Sequence, residues 1–133
     1  MRIWNDPGPH LVLAYLRAEP GKDQVRLALK QNTAISAVNW AEVLSKLVDF
    51  GYDASAVGAE FRDKGPGEAL SIWPFDERLA LDVAGLRDQI RPYGLSLGDR
   101  ACLALGSLLK VPILTADRKW AELKLRVTLR FIR

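Results

Sequence analysis

Short apolar runs with β-branched residues alternate along this chain with longer stretches of helical periodicity. That alternation restricts the possible folds more than any other feature. Thr33-Ala34-Ile35-Ser36 and Val111-Pro112-Ile113-Leu114-Thr115 read as buried strands. Further strands are expected at Arg2 to Asn5, at Leu70 to Phe75 with its end near Pro74, and at Val127 to Ile132. Helical segments are expected at Leu11 to Arg17, Lys22 to Lys30, about Val38 to Phe50, Asp53 to Arg62, Asp76 to Ile90 and Leu97 to Lys110. In the third of these, Val38, Ala41, Leu44 and Val48 fall near one face. Pro20-Gly21 and Gly51 are natural helix stops, and Lys64-Gly65-Pro66-Gly67 reads as a loop. Strands alternating with helices predict an α/β fold with a mainly parallel central sheet flanked by helices.

The 133 residues, 49% of them hydrophobic, are enough for one domain over 1–133 with a core that needs no staples. There is no internal repeat and no linker long enough to divide the chain. No stretch approaches the roughly 18 unbroken apolar residues of a membrane span, and the first residues lack an apolar signal core. The expectation is a cytoplasmic protein without a membrane partner. Cys102 is the only cysteine, so no intrachain disulfide forms; in the run Ala101 to Leu105 it reads as a small core hydrophobe. The single histidine, His10, is thin support for a Cys–His catalytic pair. The net charge of +3 is compatible with a polyanionic partner but does not demand one. Much of the excess lies late, at Arg118, Lys119, Lys124, Arg126, Arg130 and Arg133, where it also reads as a solvated basic face. Trp4, Trp40, Trp73 and Trp120 are core or interface candidates, with core the commoner use.

In parallel α/β sheets, sites lie beyond the carboxyl ends of the strands. Four acids stand near such places: Asp6 after the first strand, Glu42 on the helix after the second, Asp99 in the first turn of a later helix, and Asp117 after the strand ending at Thr115. Carboxylates converging from separate elements make a hard oxygen site for Mg²⁺ or Mn²⁺. Each acid also has a purely structural reading. Asp6 before Pro7 suits a helix N-cap, and Glu42 precedes Lys46 by one helical turn. Ser96 to Asp99 is a capping-box pattern, and Asp117 suits a cap for the segment after it. Periodicity does not show whether the four meet.

Three strings carry a resemblance: Ala34 to Val43 around Glu42, Leu95 to Leu105 around Asp99, and Val111 to Trp120 around Asp117. In order and spacing they resemble the PIN-domain family, VapC-like toxins of type II toxin–antitoxin pairs in particular. Tyr15 to Gly21 resembles that family's first helix and its exit. The likeness covers nearly the whole chain and implies a three-layer PIN-like fold. It implies that Glu42, Asp99 and Asp117 are catalytic, metal-holding acids, that Thr115 is an accessory polar residue, and that Ser36 and Asn39 lie behind them. It further implies Mg²⁺ or Mn²⁺ as cofactor, RNA as substrate, a cognate VapB-like antitoxin, and a homodimer. Arg100, Arg118 and Lys119 are candidates to meet the RNA backbone.

The first acid departs from the family pattern. The family places an Asp at the end of the first strand; counting back from Glu19-Pro20-Gly21 without a gap puts Gly8 there. A two-residue insertion restores Asp6 to the metal site; otherwise the place is empty, with Asn5 a neutral substitute. Two activities therefore stay open: a divalent-metal-dependent endoribonuclease toxin, or a catalytically impaired PIN fold that binds protein or RNA. A DNA-directed nuclease of the same fold is a third.

Overall fold

The computed structural model describes residues 1–62, 69–123 and 127–131. Five strands form one sheet: β1 (Arg2–Trp4), β2 (Thr33–Ser36), β3 (Ser71–Trp73), β4 (Ile113–Thr115) and β5 (Leu129–Phe131). Their order is β3-β2-β1-β4-β5, and all neighbours are parallel. Around them run α1 (Pro9–Leu16), α2 (Lys22–Lys30), α3 (Ala37–Asp49), α4 (Ala54–Arg62), α5 (Glu77–Gly85), α6 (Arg87–Ile90) and α7 (Leu97–Leu109). Short 3₁₀ turns cover Arg91–Tyr93 and Arg118–Glu122. This is the expected α/β architecture, with helices on both faces of a parallel sheet.

The strand registers explain the layers. Ile3 sits beside Ala34 and Ile113, and these three join one buried cluster with Leu79, Val83, Cys102, Leu103 and Trp120. Trp4 sits beside Ile35 and Leu114, and these three join the other cluster with Val12, Leu29, Trp40, Leu47 and Phe61. Successive strand residues point to opposite faces, and here both faces are covered. The inner strands are therefore apolar at nearly every position rather than alternating.

Three boundaries differ from the sequence expectation. The helix expected over Asp76 to Ile90 is two helices, because Leu86 turns after Gly85 and its N–H reaches the carbonyls of Asp82 and Val83, each at 3.2 Å. Asp6 is not the cap of α1: the N-cap is Gly8, at φ +80°, followed by Pro9 in the first turn. That left-handed conformation suits glycine, which has no Cβ to clash. Lys110 likewise falls outside α7 as its left-handed C-cap. The expected Lys64–Gly67 loop lies outside the described residues, as do Ile132, Lys124, Arg126 and Arg133. No helix among the described residues is long and apolar enough to cross a membrane.

Cys102 is fully buried, and burial, helped by the Asp99 carboxylate, pushes its thiol far above the ordinary range. It is a core residue in α7, as its apolar neighbours imply. Trp4, Trp40 and Trp120 are buried too, while Trp73 is half-buried against the second cluster.

Candidate functional site

β1 is the middle strand, and the chain builds outward from it on both sides. After β1 the chain enters α1, which packs on one face; after β4 it enters the turn carrying Trp120, which packs on the other. Adjacent parallel strands that exit to opposite faces leave a crevice at their carboxyl ends. The acids singled out in the sequence stand around this crevice.

Asn5 extends the ladder one residue past β1: its N–H donates to the Leu114 carbonyl at 3.0 Å. Its side chain is buried, 4% exposed, and its Nδ2 donates to Thr115 Oγ1 at 3.3 Å. Thr115 Oγ1 also accepts from the Asp117 N–H at 3.1 Å. Thr115 therefore ties the end of β1 to the turn that bears Asp117. Asn5 Oδ1 is buried and has no hydrogen-bond partner.

Glu42 lies on α3, whose start is fixed by Ser36; the Ser36 Oγ accepts from the Val38 N–H at 3.2 Å. Burial of Asn39, Trp40, Val43 and Leu47 orients the helix and leaves Glu42 exposed. The Asn39 Nδ2 donates to the Gly98 carbonyl at 3.0 Å, which clamps α3 to the first turn of α7. Glu42 lies directly against Gly98: a Cβ there would overlap Oε1 and stand 3.1 Å from Cδ. Partial burial raises the Glu42 pKa, and the nearby Asp6 carboxylate raises it further. Lys46 opposes them, and Asp99 adds to the rise.

The other acids are held by backbone N–H groups. Asp99 completes a capping box with Ser96: its Oδ2 accepts from the Ser96 N–H at 3.2 Å, and its own N–H donates to Ser96 Oγ at 3.1 Å. Asp117 caps the 3₁₀ turn, with Oδ1 accepting from the Lys119 N–H at 3.0 Å. Both capping roles expected from the sequence are therefore present. Each engages one carboxylate oxygen of a group that offers about four lone-pair directions, so capping and ligation are compatible. Asp99 and Asp117 line one cleft of about 270 Å³ with Tyr93, Lys119 and Glu122. Asp6 is exposed; its Oδ1 accepts from the Gly8 N–H at 2.8 Å, and its Oδ2 lies 3.7 Å from Lys46 Nζ.

The acids meet in pairs, Glu42 with Asp6 and with Asp99, and Asp99 with Asp117. Among the described residues, no three His, Cys, Asp or Glu side chains converge closely enough to hold one ion. Two residues matter here that sequence reasoning passed over or ranked low. Gly98 permits the Glu42 approach, and its only sequence signal is its place between Ser96 and Asp99. Asn5 was ranked behind Asp6, although it closes the apolar run of β1.

The profile of the PIN domain matches residues 10–125. That span is most of the chain, and the chain belongs to the PIN domain family. The fold is also shared with solved toxin–antitoxin complexes. VapBC2 from Rickettsia felis, bound to a promoter DNA fragment, superposes with a TM-score of 0.64 at 16% identity, covering 98% of this chain and 97% of that one. A toxin–antitoxin complex from Klebsiella pneumoniae gives 0.63 at 18% identity, with 93% of each chain covered. FitAcB from Neisseria gonorrhoeae gives 0.62 at 17% identity, covering 97% and 96%. The sequence has no significant match among curated proteins.

Proposed function

We propose that this chain is a VapC-like toxin, a divalent-metal-dependent endoribonuclease. The observation that carries the reading is the company of Glu42. Its carboxyl is held against Gly98 between the charges of Asp6 and Asp99, at the crevice that Asp117 also lines through the Asp99 cleft. Carboxylates kept near one another repel, and a divalent cation relieves that repulsion. The family is generally one of nucleases that use divalent metals. The donor set fits: hard carboxylate oxygens with a buried, unpartnered amide oxygen beside them. Glu42, Asp99 and Asp117 would hold Mg²⁺ or Mn²⁺, and Asp6 adds its charge to the rim.

A cation bound there supplies a water of lowered pKa and offsets charge on the leaving oxygen of a phosphodiester. Thr115 keeps the Asp117 turn in place through the 3.1 Å bond from the Asp117 N–H. Lys119, on the wall of the Asp99–Asp117 cleft, is placed to meet a phosphate. Arg100 donates to the Ser96 carbonyl at 3.3 Å, and Arg118 stacks 5.0 Å from the Phe131 ring. Those contacts hold both guanidinium groups in defined positions. RNA affinity should fall as salt rises, because phosphate contacts release counterions.

The partner in this reading is a VapB-like antitoxin that places a basic side chain among the acids. Uncompensated carboxylates favour a positive neighbour there. A homodimer is part of the same reading. The rival, an impaired PIN fold that only binds, draws on the acids meeting in pairs and on the neutral Asn5 at the end of β1.

The test is cleavage of single-stranded RNA and DNA by purified, folded protein with Mn²⁺ and with EDTA. RNA cutting that EDTA abolishes supports the proposal. Equal cutting of DNA would move it to the DNA-directed form, and no cutting would favour the binding module. Gly98→Ala gives a finer check. Its Cβ meets the far end of a flexible side chain, so the fold should survive while Glu42 is displaced. Mn²⁺ affinity is then expected to drop about tenfold with little change in melting temperature.

A further inference from the structure

We propose that Asn5, not Asp6, is the donor that β1 contributes to the cation site, through its neutral Oδ1. This rests on the metal-site reading above and refines it. Asn5 directly follows β1 and continues the ladder to Leu114, so it stands where β1 and β4 part. Its Nδ2 is taken by Thr115, the residue that also receives the Asp117 N–H. Its Oδ1 is enclosed, without a partner. A buried amide oxygen normally has one, because leaving it bare costs free energy. Amide carbonyls are ordinary oxygen ligands for hard cations. An oxygen kept bare beside carboxylates is thus accounted for by a cation that it meets on loading.

Asp6 is differently employed. Both of its oxygens have partners, the Gly8 N–H at 2.8 Å and Lys46 Nζ at 3.7 Å, and the residue is exposed. It acts on Glu42 through charge. A neutral donor at the strand end leaves the site with the carboxylates of Glu42, Asp99 and Asp117 and one amide oxygen. That set binds a divalent cation more weakly than an all-carboxylate set, since affinity follows ligand charge.

The test is Mn²⁺ titration, read by the electron paramagnetic resonance of free Mn²⁺, on the wild type and on Asn5→Asp, Asn5→Leu, Asp6→Asn and Asp99→Asn. The shift in melting temperature with added Mn²⁺ is read alongside and follows binding by mass action. Asn5→Asp should bind about tenfold more tightly, and Asn5→Leu about tenfold more weakly. The Asp6→Asn loss should be smaller and should vanish in roughly 0.5 M salt, because an exposed charge is screened, whereas the Asn5→Leu loss should persist.

Should Asn5→Leu fail to fold, Asn5→Asp decides. If Asn5 variants bind as the wild type does while Asp99→Asn loses binding, this inference is overturned and the metal site stands. A salt-resistant loss in Asp6→Asn equal to that in Asn5→Leu reassigns the ligand to Asp6 and overturns it too. If neither the wild type nor Asn5→Asp binds Mn²⁺, both the inference and the metal-site reading fall.

Discussion

Asp99→Asn is expected to lower metal-dependent RNA cleavage at least about a hundredfold while leaving the fold intact. The two effects separate because Asp99 has two roles. As a cap, it needs one oxygen to accept the Ser96 N–H, now at 3.2 Å, and an asparagine carbonyl accepts that bond as well. As a ligand, it needs its charge, which the amide lacks. Asp99 touches the site from two sides, raising the Glu42 pKa and lining the cleft with Asp117. Losing its charge therefore weakens the cation's hold at the place where the acids come closest. The measurement is initial cleavage rate in saturating Mn²⁺, with thermal unfolding as the control. Undiminished metal-dependent cutting by the variant would remove Asp99 from the site and with it the proposed mechanism.

Gly106→Val should cost about 1–3 kcal/mol or more, the largest stability loss expected from any glycine here. Gly106 is buried where α7 crosses β4. A Cβ there would come 2.5 Å from Ile113 Cδ1 and 2.6 Å from Cγ1, and Ile113 is itself fully buried. Its side chain has nowhere to go, so α7 must move off the sheet. Helix propensity favours any residue over glycine by up to about 1 kcal/mol, which is too small to compensate. The contrast is Gly85→Ala at the end of α5, where an added Cβ meets nothing within 4 Å. That change should stabilise by roughly 0.4–1 kcal/mol through the unfolded chain. Urea unfolding of both variants gives the comparison. A neutral Gly106→Val would mean that α7 and β4 are packed more loosely than described.

Most of the fold was legible because it is encoded locally. A run such as Thr33 to Ser36 is apolar throughout, which a strand buried on both faces requires, and the ends of α2 and α3 fell within one residue of their sequence signals. Where the reading slipped, a longer-range preference had decided. The break at Leu86 inside an otherwise continuous apolar pattern has no proline to announce it. Gly8 had been counted into the place of the first acid, yet it caps α1, three residues past Asn5. Counting back from a helix exit fails when the loop between strand and helix changes length.

The sequence by itself determined the parallel α/β architecture, the family, the capping pairs and the identity of the acids, because each depends on residues close together along the chain. Tertiary structure alone decided the rest. It put β1 beside β4, and it brought Glu42 against Gly98 through a clamp between helices far apart in sequence. It also buried Asn5 and left Asp6 exposed. Neighbouring residues at a strand end point to opposite sides, so a shift of one position exchanges inside for outside. That outcome depends on where the ladder to β4 stops, which no local pattern in the first six residues records.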